Sequence, residues 1–464
     1  MENNKEKYLF YKEDSFELYN GKMQDVLSTF EENSIDSIVC DPPYELNFMG
    51  KGWDNSGVAF QKETWKHCLK VLKPGGYLLA FGGTRTYHRI CCAIEDAGFE
   101  IRDCIMYLYG SGFPKSMNIG LALDKKNGVE SIDTGVQSPN ARPNSSKENT
   151  LYESGNVGKE FTIKKANNEW EGWGTTLKPA YEPVIVARKP FTTSLLENIK
   201  TYGVGGLNIE ECRVGNEKFV IEKEGYDNNE NQSCYGNIKR TPKEYNGRFP
   251  ANVITDGSEE VAVGMPISKS SGGKTTMPNF DDSEGGHLSF GQNYNVARRI
   301  ESDYIAPKDE GSVMRYFYSA KASKKDRDEG LDMFEKKEGI RTNAPRNSEE
   351  EKTKPQKNFH PTVKPVELMQ YLVRLVSPKN AIVLDCFMGS GSTGKACMFE
   401  NRERDANYHF IGIEMTNDYL PICQARIDYA KYKFEYEEKK EKEERLKQGI
   451  ISLFDDVEEL NYGK

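Results

Sequence analysis

The chain has 464 residues, with 63 basic and 72 acidic side chains and a formal net charge of -9. This length predicts two to four domains, or one large core with insertions. The charge balance argues against a histone-like positive coat but allows a local basic face. No apolar run approaches the ~20 residues that span a bilayer, and the first ten residues contain no apolar signal-peptide stretch. We therefore expect neither a membrane protein nor a secreted one, and a cytoplasmic location.

The first third of the chain alternates between strand and helix patterns. Strands are predicted at residues 16–19, Ile35–Cys40, 77–81 and 101–107, and helices at 23–30, 64–72 and 87–97. Two prolines stop the second of these strands. Strands that alternate with helices predict a parallel sheet covered on both faces.

The middle of the chain has a different composition. Residues 126–170 are rich in Asn, Ser, Lys and Gly and predict a flexible insertion, whereas PVIVA at 183–187 predicts one more strand. Beyond residue 191, Gly, Asn, Tyr and charged residues dominate, and residues 341–358 have the composition of a linker.

The α/β pattern returns towards the end of the chain. Val366–Val376 is predicted as an amphipathic helix, and residues 381–386 as a strand that enters a glycine-rich loop. His409–Glu414 is another predicted strand, with helices beginning at residues 395 and 416. Residues 431–447 place Glu four positions before Lys or Arg, which is typical of a solvated helix.

The cysteine and histidine patterns argue against a metal centre. The ten cysteines form no CxxC pair, and the five histidines show no HExxH spacing. Reduced thiols are the simplest interpretation, and we predict no structural or catalytic metal.

The first candidate site is Asp41-Pro42-Pro43-Tyr44, at the carboxyl end of a predicted parallel strand, the edge where open α/β sheets bind ligands. The prolines hold the turn rigid and remove two backbone donors. The Asp41 carboxylate and the carbonyls of Asp41 and Pro42 remain as acceptors. Beside the Tyr44 ring they suit a planar amine that is hydrogen-bonded and stacked. The alternative is a tight turn with a surface Asp.

The second candidate site runs from Asp385 through Phe387, Gly389 and Gly391, where a strand enters a glycine loop and then a helix. Glycines let a ligand approach the backbone, and a helix N-terminus offers free N–H groups. Alone, this is also the pattern of an ordinary βα turn. Glu414 makes the interpretation as a ligand site more specific. It ends the next strand about 25–30 residues later, where Rossmann-like folds place the carboxylate that binds the ribose hydroxyls. No GxxxxGK[ST] phosphate loop is present.

The third candidate is His360-Pro361-Thr362-Val363-Lys364-Pro365, just before a predicted helix. Lys364 and Thr362 could contact a carboxylate. Taken alone, the segment fits a helix entry with a solvated lysine equally well.

The order of these motifs resembles the β class of amino DNA methyltransferases. DPPY comes first, a long variable region follows, and HPTVKP and DCFMGSGST come last. Blocks at residues 111–116, 178–190, 247–254 and 318–327 also resemble phage- and prophage-borne members. The resemblance implies a Rossmann-like α/β sheet, circularly permuted, with an inserted target-recognition region. It also implies methyl transfer from S-adenosylmethionine (SAM) to an exocyclic base amine of double-stranded DNA.

The resemblance implies a role for each matching residue. Asp41 and the Pro42 carbonyl would accept the hydrogens of the target amine, Pro43 belongs to the same rigid turn, and Tyr44 would stack on the flipped base. The matches to the SAM site are Asp385, Phe387, Gly389, Gly391 and Glu414, with Thr362 and Lys364 beside the methionine end of the cofactor. One departure is Lys22, which stands in Asn20-Gly21-Lys22 where many relatives have an acid, although Asp25 is near in sequence.

The same comparison suggests domain boundaries. They are a catalytic half at 1–125, the flexible insertion at 126–170, a final strand region at 171–190, the target-recognition region at 191–345, the SAM-binding half at 346–430 and a charged helical tail at 431–464.

Contact with DNA is expected between residues 191 and 345 and in neighbouring loops. The candidate phosphate or base contacts are Lys189, Arg240, Lys243, Arg248, Arg298, Arg299, Lys321, Lys324 and Lys325. The tail segment Ile450-Ile451-Ser452-Leu453-Phe454 resembles a sliding-clamp-binding peptide, or else a short helix docked on its own domain.

Several activities remain open at this point. Asp41 at the first motif position favours adenine N6 over cytosine N4, since cytosine enzymes more often resemble SPPY. Glutamine methyltransferases of protein release factors resemble NPPY with the glycine loop upstream, so both Asp41 and the motif order argue against them. A non-catalytic DNA-binding protein would not need the complete set of site residues.

Overall fold

The computed structural model describes residues 5–46, 56–112, 116–137, 162–221, 243–270, 273–278, 299–306, 309–320, 324–337 and 356–433. The strands are β1 Leu9–Glu13, β2 Phe16–Asn20, β3 Ile35–Cys40, β4 Leu72–Phe81, β5 Glu100–Leu108, β6 Ile132–Gln137, β7 Thr162–Lys165, β8 Tyr181–Arg188, β9 Val214–Ile221, β10 Lys243–Arg248, β11 Val253–Thr255, β12 Ile267–Ser270, β13 Gly273–Pro278, β14 Arg299–Ala306, β15 Asp309–Ser312, β16 Tyr318–Ser319, β17 Ile382–Asp385 and β18 His409–Glu414. The helices are α1 Met23–Leu27, α2 Lys62–Val71, α3 Tyr87–Asp96, α4 Ile119–Asn127, α5 Leu195–Tyr202, α6 Glu259–Val263, α7 Lys324–Asp328, α8 Val366–Val376, α9 Ser392–Arg404 and α10 Leu420–Lys431.

A ten-stranded sheet forms the main body, in the order β1-β2-β18-β17-β3-β4-β8-β5-β11-β16. The strands from β2 to β4 are all parallel. β17 comes late in the chain and lies beside β3, which comes early, with Leu384 opposite Ile38. The chain therefore builds outward in opposite directions from the β17–β3 pair, which makes this pair the switch point where such sheets bind ligands.

The sheet has helices on both faces. Alternate residues of β4 point to opposite sides: Leu79 and Phe81 pack with α8, α9 and α10, whereas Leu78 and Ala80 pack with α1, α2 and α3. Because both faces are covered, the central strand Ile35–Cys40 is buried along its whole length. The expected three-layer α/β class is confirmed.

Two strands depart from the expected parallel arrangement. β1 pairs antiparallel with β2 at the edge, and β8 runs antiparallel between β4 and β5. The reversal of β8 puts its first residues, Tyr181 and Glu182, at the edge where the parallel strands end, with Glu182 opposite Tyr107. This edge carries the candidate site.

Several predicted elements have the observed bounds, and one is longer than expected. β3, α8 and β18 begin and end where the sequence predicts. β4 instead begins at Leu72 and continues through Lys73-Pro74-Gly75-Gly76, which lies between the predicted helix at 64–72 and the predicted strand at 77–81. Backbone bonds from Gly75 N to Lys189 O (3.0 Å) and from Lys189 N to Gly76 O (2.9 Å) hold this stretch extended.

Residues 111–180 form a separate compact unit. The N-terminus of α4 is capped by Asn118, whose side chain accepts a bond from Leu121 N, and β6 pairs antiparallel with β7. Parts of the predicted insertion at 126–170 are therefore regular structure, while residues 138–161 lie outside the described residues. The predicted domain boundaries stay a prediction.

Two further sequence predictions lie outside the described residues, namely most of the 341–358 linker and the tail beyond residue 433, including the clamp-like segment. Among the helices that are described, none is long and apolar enough to cross a membrane.

Candidate active site

The two main motifs meet at one edge of the sheet because β3 and β17 are adjacent and parallel. β3 ends at Cys40 and leads into Asp41, and β17 ends at Asp385 and leads into the glycine loop. Leu384 of β17 pairs with Ile38 of β3, and the Thr393 hydroxyl lies 3.5 Å from the Val39 carbonyl oxygen. The two strand ends are thus in direct contact.

Lys364 lies at the centre of the first half of the site. Its Nζ is 3.1 Å from Asp41 Oδ1, 2.9 Å from Glu182 Oε2 and 2.8 Å from the Tyr44 hydroxyl oxygen. It also lies over the Phe81 ring, 4.6 Å from the ring centroid. The contacts with Glu182 and Tyr44 are hydrogen bonds, and the contact with Asp41 is an ion pair.

Burial and charge shift the titration of this cluster in opposite directions. Removal from water raises the pKa of Asp41, the nearby Lys364 ammonium opposes that rise, and the Glu182 carboxylate adds to it. Burial raises the pKa of the Tyr44 hydroxyl well above its usual value, with further contributions from Asp41 and Glu182. Burial lowers the pKa of Lys364, but the two carboxylates outweigh it and the net shift is upward. Lys364 is therefore charged at neutral pH, and Tyr44 is a neutral phenol.

The glycine loop forms the second half of the site. Asp385, 2% exposed, accepts bonds from Phe387 N at 3.0 Å and from the Thr393 hydroxyl at 2.6 Å, which fixes both ends of the turn. Gly389 and Gly391 have φ angles of 56° and 77°, in the left-handed region that favours glycine. A Cβ on Gly391 would lie 3.1 Å from the Cα of Cys423 on α10. The loop thus needs glycine both for its conformation and for its packing.

Glu414 ends β18 and contacts the glycine loop directly. Its Oε2 accepts a bond from Gly389 N at 3.0 Å and its Oε1 accepts one from Thr416 N at 2.7 Å. Burial raises the pKa of this carboxyl. Gly21 N and Asn20 Nδ2 donate to the Glu414 carbonyl at 3.1 and 3.0 Å, so Asn20-Gly21-Lys22 lies at the same edge, with the Lys22 side chain exposed.

The HPTVKP segment contacts both halves of the site, the first through Lys364 and the second through His360. Lys364 joins Asp41, as described above, whereas the Thr362 side chain is exposed. The buried ring of His360 faces the glycine loop, because a Cβ on Gly389 would lie 3.0 Å from His360 Nε2. Its Nδ1 donates to the Thr362 carbonyl, and burial lowers its pKa to about 4, so the ring is neutral.

Sequence reasoning missed His360 and Glu182 as site residues. His360 stood inside a motif that was recognised, and its position directly before Pro361 was the available signal. Glu182 stood in the block at 178–190, but only the antiparallel direction of β8 brings it to Asp41.

Among the nine basic DNA-contact candidates, only Lys189 and Arg248 have described side chains. Lys189 donates to Asn33 Oδ1 at 2.8 Å and to the Leu72 carbonyl at 2.7 Å. Arg248 pairs with Glu217 and lies over the Tyr316 ring. Both side chains therefore make contacts within the protein, and their role in DNA binding stays a prediction.

Comparison with known proteins gives a family match over most of the chain. The family model N6_N4_Mtase, described as DNA methylase, matches residues 35–425. The type II methyltransferase M.HpaI of Haemophilus parainfluenzae is 34% identical over 99 residues, which are 19% of this chain and 31% of that protein. The DNA adenine methyltransferase YhdJ of Escherichia coli K12 is 36% identical over 73 residues, 16% of this chain and 23% of that protein. The chain thus matches only about a quarter to a third of the length of these two relatives.

Among solved structures, that of M1.HpyAVI aligns with 89% of this chain and 98% of its own, at 12% identity and a TM-score of 0.34.

Proposed function

The chain belongs to the DNA methylase family, and we propose that it transfers a methyl group from SAM to the N6 amine of adenine in double-stranded DNA. The observation that carries the proposal is the adjacency of β3 and β17, which brings the acceptors of DPPY and the glycine loop to one edge of the sheet. A transferase for two ligands needs both sites within bonding reach of each other.

The residues of the second half fit SAM. A carboxylate has about four lone-pair positions, and Glu414 uses two for Gly389 N and Thr416 N, which leaves two for the ribose hydroxyls. Gly389 and Gly391 allow the left-handed turns of the loop, and the N-terminus of α9 follows directly. Glu414, Gly389, Gly391, Phe387 and Asp385 would therefore hold the cofactor, which supplies an electrophilic methyl group on a sulfonium.

The residues of the first half fit the target amine. Asp41 Oδ1 is buried and makes no hydrogen bond of ordinary geometry with the described residues, its contact with Lys364 being an ion pair. It would accept one amine hydrogen and the Pro42 carbonyl the other, which concentrates the lone pair on nitrogen and stabilises the positive charge that develops there. The nitrogen lone pair forms the new N–C bond, the S–C pair returns to sulfur, and the surplus amine proton leaves through Asp41 to water.

A base inside a duplex cannot reach this edge, so it must rotate out of the stack, which costs a few kcal/mol. The Tyr44 ring lies beside Asp41 and would recover part of that cost by stacking, about 1–3 kcal/mol. Lys364, which the resemblance matches to the segment beside the methionine end of SAM, contacts Asp41 and Glu182, and we propose that it also acts on the amine side.

Adenine as the target is the finer part of the proposal. It is supported by Asp41 at the head of the motif and by the match to YhdJ, a DNA adenine methyltransferase by name. The supply of both DNA and SAM favours action in the cytoplasm.

The direct test is to incubate the purified protein with unmethylated genomic DNA and SAM carrying a tritiated methyl group. The DNA is then digested to nucleosides and separated by chromatography. We expect the label in N6-methyldeoxyadenosine. Label in N4-methyldeoxycytidine would overturn the adenine assignment alone, and the absence of any labelled nucleoside would overturn the proposed activity.

Gly391→Ala is expected to weaken SAM binding about tenfold. The left-handed φ costs an alanine about 1–2 kcal/mol, which corresponds to about one decade in a binding constant if the loop relaxes to avoid it. The new Cβ would also press on the α10 backbone at Cys423, which cannot yield as a flexible side chain would. Isothermal titration calorimetry with SAM measures the change.

Gly203→Ala is the matched control. Gly203 has a φ of 75°, almost that of Gly391, but a Cβ there meets nothing within 4 Å and the residue caps α5, away from the loop. Both variants should melt at lower temperature than the wild type, and only Gly391→Ala should bind SAM more weakly. Equal SAM affinity in the two variants would contradict the role of the loop.

A further inference from the structure

One ammonium group shared by two carboxylates is the most unusual feature of the DPPY half. Lys364 bridges Asp41 and Glu182, and the side chains are only 12%, 22% and 27% exposed. The Tyr44 hydroxyl donates to Glu182 Oε2 at 3.3 Å while accepting from Lys364, so it closes the cluster. The three residues come from three separate parts of the chain, which argues that the contact is a product of the fold and not of local sequence.

We propose that Lys364 is a positioning residue for methyl transfer, which holds Asp41 as an ionised acceptor aimed at the target amine, and that Glu182 moderates this effect by competing for Lys364. The inference rests on the proposed function, since it gives the two residues a role in the same reaction.

The chemical reason lies in the hydrogen-bonding requirement of the amine. An ionised carboxylate only accepts hydrogen bonds, whereas a protonated carboxyl also carries a donor that would point at an N–H group. Two carboxylates in a half-buried cluster favour protonation of one of them unless a cation is present. Lys364 supplies that cation, and its direct contact with Tyr44 fixes the stacking ring in the same arrangement.

Several titratable groups belong to or lie near the cluster of Asp41, Lys364 and Glu182 and enter this balance. They are Lys364 before α8, Glu182 on β8, Tyr44 in the same turn, Asp385 at the end of β17, and Tyr107 and Tyr109 on and after β5. Burial raises the pKa of Tyr109 to about 12 and shifts that of Tyr107 further upward, so neither phenol carries charge near neutral pH. Within this cluster, the charges of Lys364 and Glu182 can therefore be removed by substitution. Such substitutions leave Asp41, Tyr44 and the SAM loop in place.

The two substitutions should move the acid limb of the rate–pH profile in opposite directions. Lys364 lowers the pKa of Asp41, so Lys364→Met should raise the pH at which Asp41 ionises, by about 1–3 pH units. Glu182 raises it, so Glu182→Gln should lower that pH by about one unit. A purely structural role would reduce the rate by the same factor at every pH and would leave the limb where it is.

The experiment measures single-turnover methyl transfer from labelled SAM to DNA, from about pH 5 to about pH 9, for the wild type and both variants. Lys379→Met is the matched control, because Lys379 pairs with Asp405 on the surface, where the two side chains are 59% and 87% exposed. Its profile should match the wild type. Circular dichroism and SAM titration at each pH identify any variant that has unfolded.

The outcomes separate the inference from the proposed function. The inference is supported if the acid limb of the rate–pH profile moves to higher pH in Lys364→Met and to lower pH in Glu182→Gln. An active wild type whose limb is unmoved in both variants overturns the inference and leaves the proposed function standing. A wild type that transfers no methyl group at any pH overturns the proposed function itself. If Lys364→Met does not fold, the downward shift in Glu182→Gln decides alone.

Discussion

Asp41→Asn is expected to lower the rate of methyl transfer about 10²–10³-fold, the effect of losing one preorganised group that stabilises developing charge. The asparagine keeps one acceptor oxygen but loses the negative charge, and its amide donors face the amine and Lys364. SAM should bind with unchanged affinity, because Asp41 lies on the amine side of the site and Glu414 and the glycine loop are untouched. Single-turnover transfer from tritiated SAM measures the rate, and calorimetry measures the affinity.

Asp405→Asn provides the control for this prediction. Asp405 is exposed and has a left-handed φ of 52°, a conformation that Asn tolerates well. It makes the same chemical change far from the DPPY turn and should leave both rate and affinity as in the wild type. If Asp41→Asn retained the wild-type rate, the amine would have to be bound elsewhere and the proposed site would be wrong.

The sequence predicted the elements whose signals are local. β3 and β18 are short apolar runs with sharp ends, and α8 has apolar residues at helical spacing between a proline and a serine. Each of these patterns contains its own start and stop signals, so no knowledge of distant parts of the chain is needed. The recognition of the two motifs, and hence of the fold class, rested on the same kind of signal.

The features that could not be predicted from the sequence depend on contacts with residues far along the chain. Lys73-Pro74-Gly75-Gly76 has the composition of a turn, yet it is extended because Lys189 bonds to both of its glycines. Gly75 is required there, since its φ of 83° is left-handed and a Cβ would collide with the buried Asn198 side chain. No periodicity within the segment carries this information.

The site shows the same limit. Asp41 and the glycine loop could be assigned because each follows a strand, and parallel strands end at one edge. Glu182 begins a strand instead, and it reaches that edge only because β8 is reversed. The direction of a strand in a sheet is set by pairing, and the 111–180 unit separates β8 from its neighbour β5 in sequence. The motifs alone therefore could not predict that Glu182 pairs with Lys364.

Glu400→Gln is expected to lower the free energy of unfolding by about 3–5 kcal/mol. Glu400 on α9 is fully buried and accepts two bonds from Arg374 on α8, at 2.9 Å from Nε and 2.5 Å from Nη2. A glutamine removes the counter-charge and one of the two acceptor oxygens, and it leaves the guanidinium, itself 7% exposed, buried without an anion. Urea unfolding followed by circular dichroism gives the change, and Glu63→Gln, at an exposed pair with Lys66, should leave the midpoint almost where it is.

A double variant tests whether the Arg374–Glu400 ion pair is needed for stability. If the pair were needed for stability as such, Arg374→Met with Glu400→Leu would be as unstable as the single variant. Because taking two charges out of water costs about as much as their attraction returns, we expect the double variant to recover most of the loss. α8 follows Lys364 directly and α9 follows the glycine loop, so the pair joins the helices behind the two halves of the site. A double variant that is stable but transfers methyl groups slowly would mean that the ion pair sets the relative position of those helices, whereas full activity would mean that apolar packing alone is sufficient.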